Sequence, residues 1–157
     1  MNDPFATPPR DSRYRPVADH AHRYATTGGR DGHLWNGVPT LLLTTLGRRT
    51  GTARRTALIY GRRGPDYLVA ASNLGSDHHP HWYRNLQHHP RARVQVLDHV
   101  FEVSARTADA GERPALWEQM TALWPAYADY QAATARTIAI VLLHPQHPAP
   151  HEHEARP

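Results

Sequence analysis

The densest group of side chains able to bind a ligand is a run of arginines set between glycines. The segment Gly47-Arg-Arg-Thr-Gly-Thr-Ala-Arg-Arg-Thr56 follows an apolar stretch, Arg62 and Arg63 come soon after, and no acidic residue interrupts 48–63. Guanidinium forks donate paired hydrogen bonds to phosphates and carboxylates, and glycine lets the backbone turn sharply enough to expose its N–H groups. The pattern predicts an anion site, with a solvated basic loop as the alternative.

A second candidate is the segment 70–86, with the sequence AASNLGSDHHPHWYRNL. Ser72 and Asn73 end an apolar strand and can hydrogen-bond a heterocycle, while Trp82 and Tyr83 can stack on one. Pro80 is placed to open a helix whose free N–H groups favour an anion. A structural interpretation is equally available, because Trp82 can belong to the core and Ser76 or Asp77 can cap a turn.

Two tyrosines form the third candidate. Tyr127 and Tyr130 lie three residues apart in the segment Trp124-Pro-Ala-Tyr-Ala-Asp-Tyr-Gln131. On a helix they share one face, where they would form an aromatic wall with a phenolic proton donor. Tyrosines beside the end of a helix can also be purely structural, so the two interpretations stay open.

Composition removes several classes of chemistry. All 18 Lys+Arg residues are arginine, which excludes a Schiff-base lysine and a phosphate-loop lysine. The chain has no cysteine, which excludes thiolate nucleophiles and cysteine-bound zinc or iron–sulfur clusters. His78, His79 and His81 contain no i, i+4 pair, so no metal site is predicted there.

The elements that must position these groups are mostly short strands. We expect strands over 39–46, 56–61, 66–72, 92–97, 100–105 and 137–143, and helices over 16–25, 80–86 and 111–124. In the longest helix, Leu116, Trp117, Met120, Leu123 and Trp124 form one apolar stripe. The fold class is therefore mainly β, or α+β, with about six or seven mostly antiparallel strands and a few helices, arranged as a small barrel or a sandwich.

The 157 residues fit one domain, expected over 16–145, between disordered tails at 1–15 and 146–157. The first tail is rich in Pro and Arg, and the second alternates His, Pro and acids. No stretch approaches the roughly 20 apolar residues of a membrane span, and no signal peptide is visible. The cytoplasm is the expected location.

Together the three candidate segments resemble the deazaflavin (F420)-dependent oxidoreductases of the nitroreductase type, a split-barrel family. The matching stretches are LLTTLGRRTGTARRT at 42–56, ASNLGSDHHPHWYRNLQHHPRARVQV at 71–96 and LWPAYADYQAATARTIAIVLLHP at 123–145. The resemblance implies a small split β-barrel related to flavin-mononucleotide-binding folds. It also implies a homodimer that binds coenzyme F420 in a groove, with FMN as the alternative cofactor.

The resemblance assigns roles to individual residues. The phosphate and oligoglutamate tail of F420 would be bound by Arg48, Arg49, Thr50, Gly51 and Arg54. The deazaflavin ring would contact Ala71, Ser72, Asn73, Trp82, Tyr83 and Asn85. Ser72 and Tyr127 would lie nearest the reaction, and the acceptor pocket would contain Trp124, Tyr127 and Tyr130. Trp124 replaces a tyrosine that several relatives have, so their preferred acceptors do not transfer to this chain.

The leading hypothesis is an F420H2-dependent oxidoreductase that passes a hydride to a quinone, nitro or enone-type acceptor, without a metal. The alternatives are a non-enzymatic, flavin- or haem-binding split-barrel protein and a basic nucleic-acid-binding module. The nucleic-acid hypothesis is the weakest, because the formal net charge is only +4 and no aromatic side chains recur among the arginines.

Overall fold

The structure is a computed structural model that describes residues 3–146. Nine strands form the sheet: β1 Arg10–Asp11, β2 Leu34–Trp35, β3 Val38–Leu46, β4 Ala53–Ile59, β5 Gly61–Arg63, β6 Asp66–Ala70, β7 Arg91–Val96, β8 His99–Thr107 and β9 Ile140–Pro145. Four helices accompany them: α1 Arg15–Thr26, α2 His81–His88, α3 Arg113–Leu123 and α4 Ala126–Ala132. A short 3-10 helix covers Asn73–Gly75.

The strands follow one path, β1-β4-β3-β7-β8-β9-β6-β5, with β2 paired to β3. The path does not close. However, β4, which lies beside the end strand β1, is almost continuous in the chain with β5, the strand at the other end. Only Tyr60 separates β4, which pairs with β3, from β5, which pairs with β6. Because one bent stretch serves both ends, the sheet curls round an interior in the manner of a split barrel.

Both faces of β6 and β9 are buried, and their side chains alternate between two cores. Val69 and Val141 belong to the inner core, which also contains Leu41 and Leu43 of β3. Leu68, Ala70, Ile140 and Leu142 point the other way, into a second core. That second core is covered by α3 and α4. The alternation follows from the period of two residues along a strand.

The helices cover the outer face of the sheet. The apolar stripe of α3 buries Leu116 and Met120 in the second core, as its spacing predicts. The α1 helix lays Ala21 and Tyr24 on Leu42. The Tyr24 hydroxyl donates to the Thr40 carbonyl at 2.9 Å and accepts the Leu97 N–H at 2.8 Å. This buried phenol ties α1 to the sheet.

The fold class is confirmed: the protein is mainly β with a few helices. The three strands beyond the expected six or so are the short ones, β1, β2 and β5. The predicted hairpin across 62–65 exists, but its first strand is β5, because the chain bends at Tyr60. The α4 helix was not predicted. Its seven residues are too short for an apolar repeat to be visible in the sequence.

The N-terminal segment differs from the expected disorder. Between residues 3 and 15, Phe5 is buried against Leu46 and Ala53, and the guanidinium groups of Arg91 and Arg93 flank its ring at 5.2 and 5.0 Å. A single aromatic anchor with cation–π partners gives no periodic signal, so composition alone suggested disorder. Of the expected C-terminal tail at 146–157, all but the first residue lies outside the described residues.

The carboxylate of Glu112 connects three elements, α3, β8 and β5, through hydrogen bonds. Glu112, at the start of α3, accepts hydrogen bonds from Arg106 of β8 at 2.6 Å and from Arg63 of β5 at 2.8 Å. It also accepts the Asp109 N–H at 3.0 Å. These contacts, the Arg106 hydrogen bond first, lower the pKa of Glu112 from 4.5 to about 2.

Protonating this carboxylate should therefore cost stability. A carboxyl whose pKa is lower in the folded state stabilises the fold above its unfolded pKa, near 4.5, and this contribution is lost as pH falls towards 2. We expect Glu112→Gln to lower the melting temperature at neutral pH and to flatten its decline in acid. Circular dichroism melts across this range test the expectation, with Glu118→Gln on the same helix as the control. Equal behaviour of the two variants would contradict it.

Candidate active site

The arginine run forms a tight turn between β3 and β4. The Gly47 N–H donates to the Thr52 carbonyl at 2.8 Å, and the Gly51 N–H donates to the Gly47 carbonyl at 2.8 Å. Gly51 has φ +71, a backbone conformation that residues other than glycine rarely adopt. This arginine turn, residues 47–52, holds Arg48, Arg49 and Thr50 at the end of a strand.

Asn85 fixes the arginine turn to α2. Its Oδ1 accepts the Arg48 N–H at 3.2 Å and the Arg48 guanidinium at 2.9 Å, and its Nδ2 donates to Thr45 Oγ1 at 3.1 Å. Asn85 is 3% exposed, so its amide must be satisfied internally, and these contacts satisfy it. Asn85 is therefore an internal brace for Arg48. The ring contact that the resemblance implied for it stays a prediction.

Positive charge accumulates around the turn. The Arg48 guanidinium lies 3.2 Å from His81 Nδ1, and Arg84 is the next charged residue of α2. Burial lowers the pKa of His81, and the charges of Arg48, Arg84, Arg54 and Arg13 lower it further. Burial also lowers the pKa of Arg48, with smaller contributions from Arg84 and Arg49.

Other arginines of the run are neutralised. Arg55 makes a two-point ion pair with Asp11 at 2.6 and 2.9 Å, and Arg63 binds Glu112. Within residues 3–146, no carboxylate forms an ion pair with Arg48, Arg49, Arg54 or Arg84. Asp11 and Glu112 therefore pair with structural arginines, and the guanidinium groups at the turn are left without an acidic partner, as an anion site requires.

The segment 71–79, which follows β6, is held by the guanidinium group of Arg136. Arg136 donates to the carbonyls of Ser76 and Ser72, each at 2.8 Å, and of Ala71 at 3.2 Å. It also lies 3.4 Å from His79 Nδ1. A guanidinium has five donors in a fixed fork, so one side chain can set the course of a loop that has no regular ladder of its own.

Backbone conformation in the segment 71–79 is unusual. Asn73 and Leu74 both have positive φ, 46 and 56, in a region that non-glycine residues seldom occupy. The Asn73 side chain donates to the His78 carbonyl at 3.0 Å, which helps to stabilise the turn. The Leu74 side chain is 73% exposed, and the Ser72 hydroxyl makes no hydrogen bond within the described part of the chain.

Gly75 lets α4 approach the same segment. A Cβ at Gly75 would lie 2.9 Å from the Tyr130 carbonyl oxygen and 3.0 Å from its Cα, closer than real Cβ atoms come. Thr134 adds a hydrogen bond to Asp77 at 2.9 Å. The close contact brings the tyrosines of α4 beside residues 72–75.

Tyr127 lies in the second core with its ring near two other aromatic rings. It is 6% exposed, and its ring centroid is 6.3 Å from that of Trp117 and 6.1 Å from that of Tyr130. Burial, followed by the neighbouring Tyr130, raises the pKa of Tyr127 well above 10.0. Its phenol stays protonated and can donate a hydrogen bond throughout the physiological range.

The remaining predicted residues divide between the surface and the core. Trp124 is half-buried at the end of α3, and its ring packs on Trp35 with centroids 4.9 Å apart. Tyr83 is 5% exposed and its hydroxyl bonds Thr107 Oγ1 at 2.7 Å, while Trp82 packs against the inner core. Both side chains of α2 are therefore largely structural in this conformation.

The structure thus joins the three candidate segments into one continuous surface, from α4 through 71–79 and α2 to the arginine turn. Sequence reasoning missed Arg136, His81 and Arg84. No spacing signal marks Arg136, because its partners are carbonyls more than 50 residues away. The i, i+3 relation of His81 and Arg84 was visible but pointed to no partner.

Two further clefts open on the described residues. A cleft of about 580 Å³ opens beside Pro39, Tyr60 and Leu123, and another of about 220 Å³ opens beside Tyr83 and Gln87. Within residues 3–146, no group of three or more His, Asp or Glu side chains could hold a metal ion. No helix of that part is long and apolar enough to cross a membrane.

Comparison with known proteins agrees with the resemblance seen in the sequence. The profile of the F420H2-dependent quinone reductase family matches residues 17–145. An F420H2-dependent quinone reductase of Mycobacterium tuberculosis is 36% identical over 133 residues, covering 79% of this chain and 86% of that protein. A second relative from the species, named a putative F420H2-dependent quinone reductase, is 36% identical over 112 residues, covering 69% and 92%.

Solved structures give the same family. The structure of an F420H2-dependent reductase called FDR-A superposes with a TM-score of 0.63 at 33% identity, covering 68% of this chain and 94% of that one. A structure described as a domain-swapped dimer has a TM-score of 0.65 at 30% identity, covering 85% and 100%. A haem storage protein of Vibrio cholerae, at 16% identity and a TM-score of 0.52, shares the fold alone. The chain belongs to the F420H2-dependent quinone reductase family.

Proposed function

We propose that this protein is an oxidoreductase that transfers a hydride from reduced coenzyme F420 to a quinone-type acceptor. The observation that carries the proposal is the arginine turn. Its guanidinium groups are free of acids, and they lie one helix away from a loop and tyrosines that can accommodate a ring. Membership of the family identifies the cofactor as F420, and the arginines of this chain supply the hydrogen-bond donors that an anionic cofactor needs.

The residues present fit F420. Its phosphodiester and carboxylates require forked cationic donors, which Arg48, Arg49 and Arg54 provide. The exposed backbone N–H of Thr50 adds a donor beside them, whereas the Gly51 N–H is already bonded to the Gly47 carbonyl. Its ring requires hydrogen-bonding groups at a hydrophobic edge, and the unpaired Ser72 hydroxyl between Ala71 and Asn73 offers one.

Reduced F420 supplies the hydride when it is bound. The role of the chain is to position the cofactor and the acceptor and to shield them from water. Asn85 holds Arg48 at the anionic end, and Arg136 holds the ring-lining segment 71–79, so both ends of the site are preorganised before binding. Trp82 and Tyr83 support that arrangement from the core, and Trp124 and Tyr130 border the side where an acceptor would enter.

Tyr127 is the proposed hydrogen-bond donor to the acceptor oxygen. Reduction of a quinone adds a hydride and a proton, so a neutral phenol beside the reacting oxygen can stabilise the charge that develops there. The raised pKa of Tyr127 keeps the phenol protonated at the pH of the cell. Its burial among Trp117 and Tyr130 limits the access of water.

We also propose a homodimer, which is supported by the related structure described as a domain-swapped dimer. The absence of nucleic-acid binding and the cytoplasmic location stay predictions. A flavin or haem cofactor is not favoured by any contact in the described residues.

Loss of the anchoring guanidinium should weaken cofactor binding. We expect Arg48→Ala to raise the Kd for F420 by about ten- to a hundredfold, since a hydrogen bond to a charged group contributes about 1.5–3 kcal/mol. Fluorescence titration with F420 measures the change. The matched control is Arg30→Ala, an exposed arginine distant in sequence from all three segments. An unchanged Kd in Arg48→Ala, or an equal loss in the control, would count against the site.

Removal of the Tyr127 hydroxyl should act on turnover and spare cofactor affinity. We expect Tyr127→Phe to lower kcat for a soluble quinone by about tenfold, the value of one hydrogen bond made in the transition state, with the Kd for F420 unchanged. Tyr67→Phe, which lies outside the proposed site and packs on Phe101, is the control. If Tyr127→Phe keeps its full kcat, the residue is only a wall of the pocket.

Arg136 should affect the geometry of the bound ring. We expect Arg136→Gln to lower kcat/KM by about tenfold or more and to alter the absorbance spectrum of bound F420, because the carbonyls of 71–79 lose their common donor. Arg136→Lys should restore part of both. Arg113→Gln is a matched control for lost stability, since Arg113 also donates to a carbonyl, that of Ile138, at 2.6 Å. A spectrum that shifts equally in both Gln variants would reduce Arg136 to a general structural role.

A further inference from the structure

The N-terminal segment runs directly beside the arginine turn. β1 pairs in parallel with the start of β4, so that Arg10 lies opposite Arg54 and Asp11 lies opposite Arg55. The ion pair between Asp11 and Arg55 is partly buried and fixes this register. The family profile matches residues 17–145, so β1 precedes the matched region.

The pairing places like charges together on one face. Side chains alternate along a strand, so Asp11 and Arg55 share one face while Arg10 and Arg54 share the other. Like charges directly opposite in a sheet are destabilising. Among residues 3–146, neither Arg10 nor Arg54 forms an ion pair that would offset the repulsion.

Arg13 extends the same positive surface towards α2. It is exposed between β1 and α1. Its charge helps to lower the pKa of His81, as do the charges of Arg48, Arg54 and Arg84. Arg48 contacts His81 at 3.2 Å and Arg10 lies opposite Arg54, so arginines from separate parts of the chain surround the arginine turn. A single phosphodiester cannot engage all of them, whereas a flexible chain of carboxylates can place one charge near each.

We propose that Arg10 and Arg13 form a subsite for the carboxylates of the oligoglutamate tail of F420, beyond the arginine turn that binds its phosphodiester. The inference rests on the proposed function. The repulsion between Arg10 and Arg54 is retained in the free protein and relieved when a carboxylate lies between them. The N-terminal segment is thereby part of the cofactor site.

The test compares two forms of the cofactor, one with a long oligoglutamate tail and one lacking glutamates. The proteins are the full chain, Arg10→Gln, Arg13→Gln, the double variant and Arg30→Gln as the charge-matched control. We expect each single substitution to weaken binding of the long-tailed form about two- to fivefold at low salt, as for an exposed ion pair. Binding of the form lacking glutamates should stay unchanged. The preference for the tail should disappear near 1 M salt, where the Debye length is about 3 Å.

A stability measurement separates a ligand-binding role from a structural one. Arg10→Gln removes the repulsion with Arg54, so the melting temperature of the cofactor-free protein should hold or rise while affinity for the long-tailed form falls. The proposal is overturned if Arg10→Gln and Arg13→Gln leave the tail preference intact, or if both cofactor forms weaken equally. Failure of the unaltered chain to bind either form would overturn the proposed function itself.

Discussion

Burial of both faces of β6 and β9 is the constraint on which the rest of the structure depends. Because Val69 and Val141 face the inner core while Leu68 and Ile140 face the helical layer, these strands cannot slip by one residue without exposing one set of apolar side chains. The end of β6 therefore emerges at a fixed height between α2 and α4. That exit point is where the segment 71–79 begins, and it brings Ser72 and Asn73 close to the tyrosines of α4.

A loop in that position still needs its backbone polar groups satisfied, and Arg136 satisfies three carbonyls at once. The cost of burying part of a guanidinium is offset by these charge-assisted hydrogen bonds, which are stronger than neutral ones. Asn85 has the corresponding role at the other end of the site, where a buried amide orients Arg48. Each end is thus braced from the protein side, and the surface groups left over are the ones available to a ligand.

The distribution of charge follows the same division. Asp11 and Glu112 pair with Arg55 and with Arg63 and Arg106, where the arginines join elements of the fold. The guanidinium groups around the arginine turn have no such partner within the described residues. A net charge of +4 is modest for the whole chain, but its excess is local. Local excess in a preorganised frame is what gives an anionic cofactor a defined orientation, with long-range attraction as a secondary effect.

The sequence alone determined the elements whose signals are local. The alternating apolar strands, the stripe of α3 and the glycine-bounded arginine turn can be read from spacing, and the three motifs together indicated the family. Tertiary structure decided which of those residues are buried as supports and which stay exposed. Asn85 and Tyr83 turned inward, the N-terminal segment joined the sheet through Phe5 and Asp11, and Arg136 became the support of the ring-lining segment. These outcomes depend on contacts between residues 24 to 90 positions apart, as with Tyr83 and Thr107 or Arg93 and Asp3. Such contacts produce no periodic pattern in a sequence.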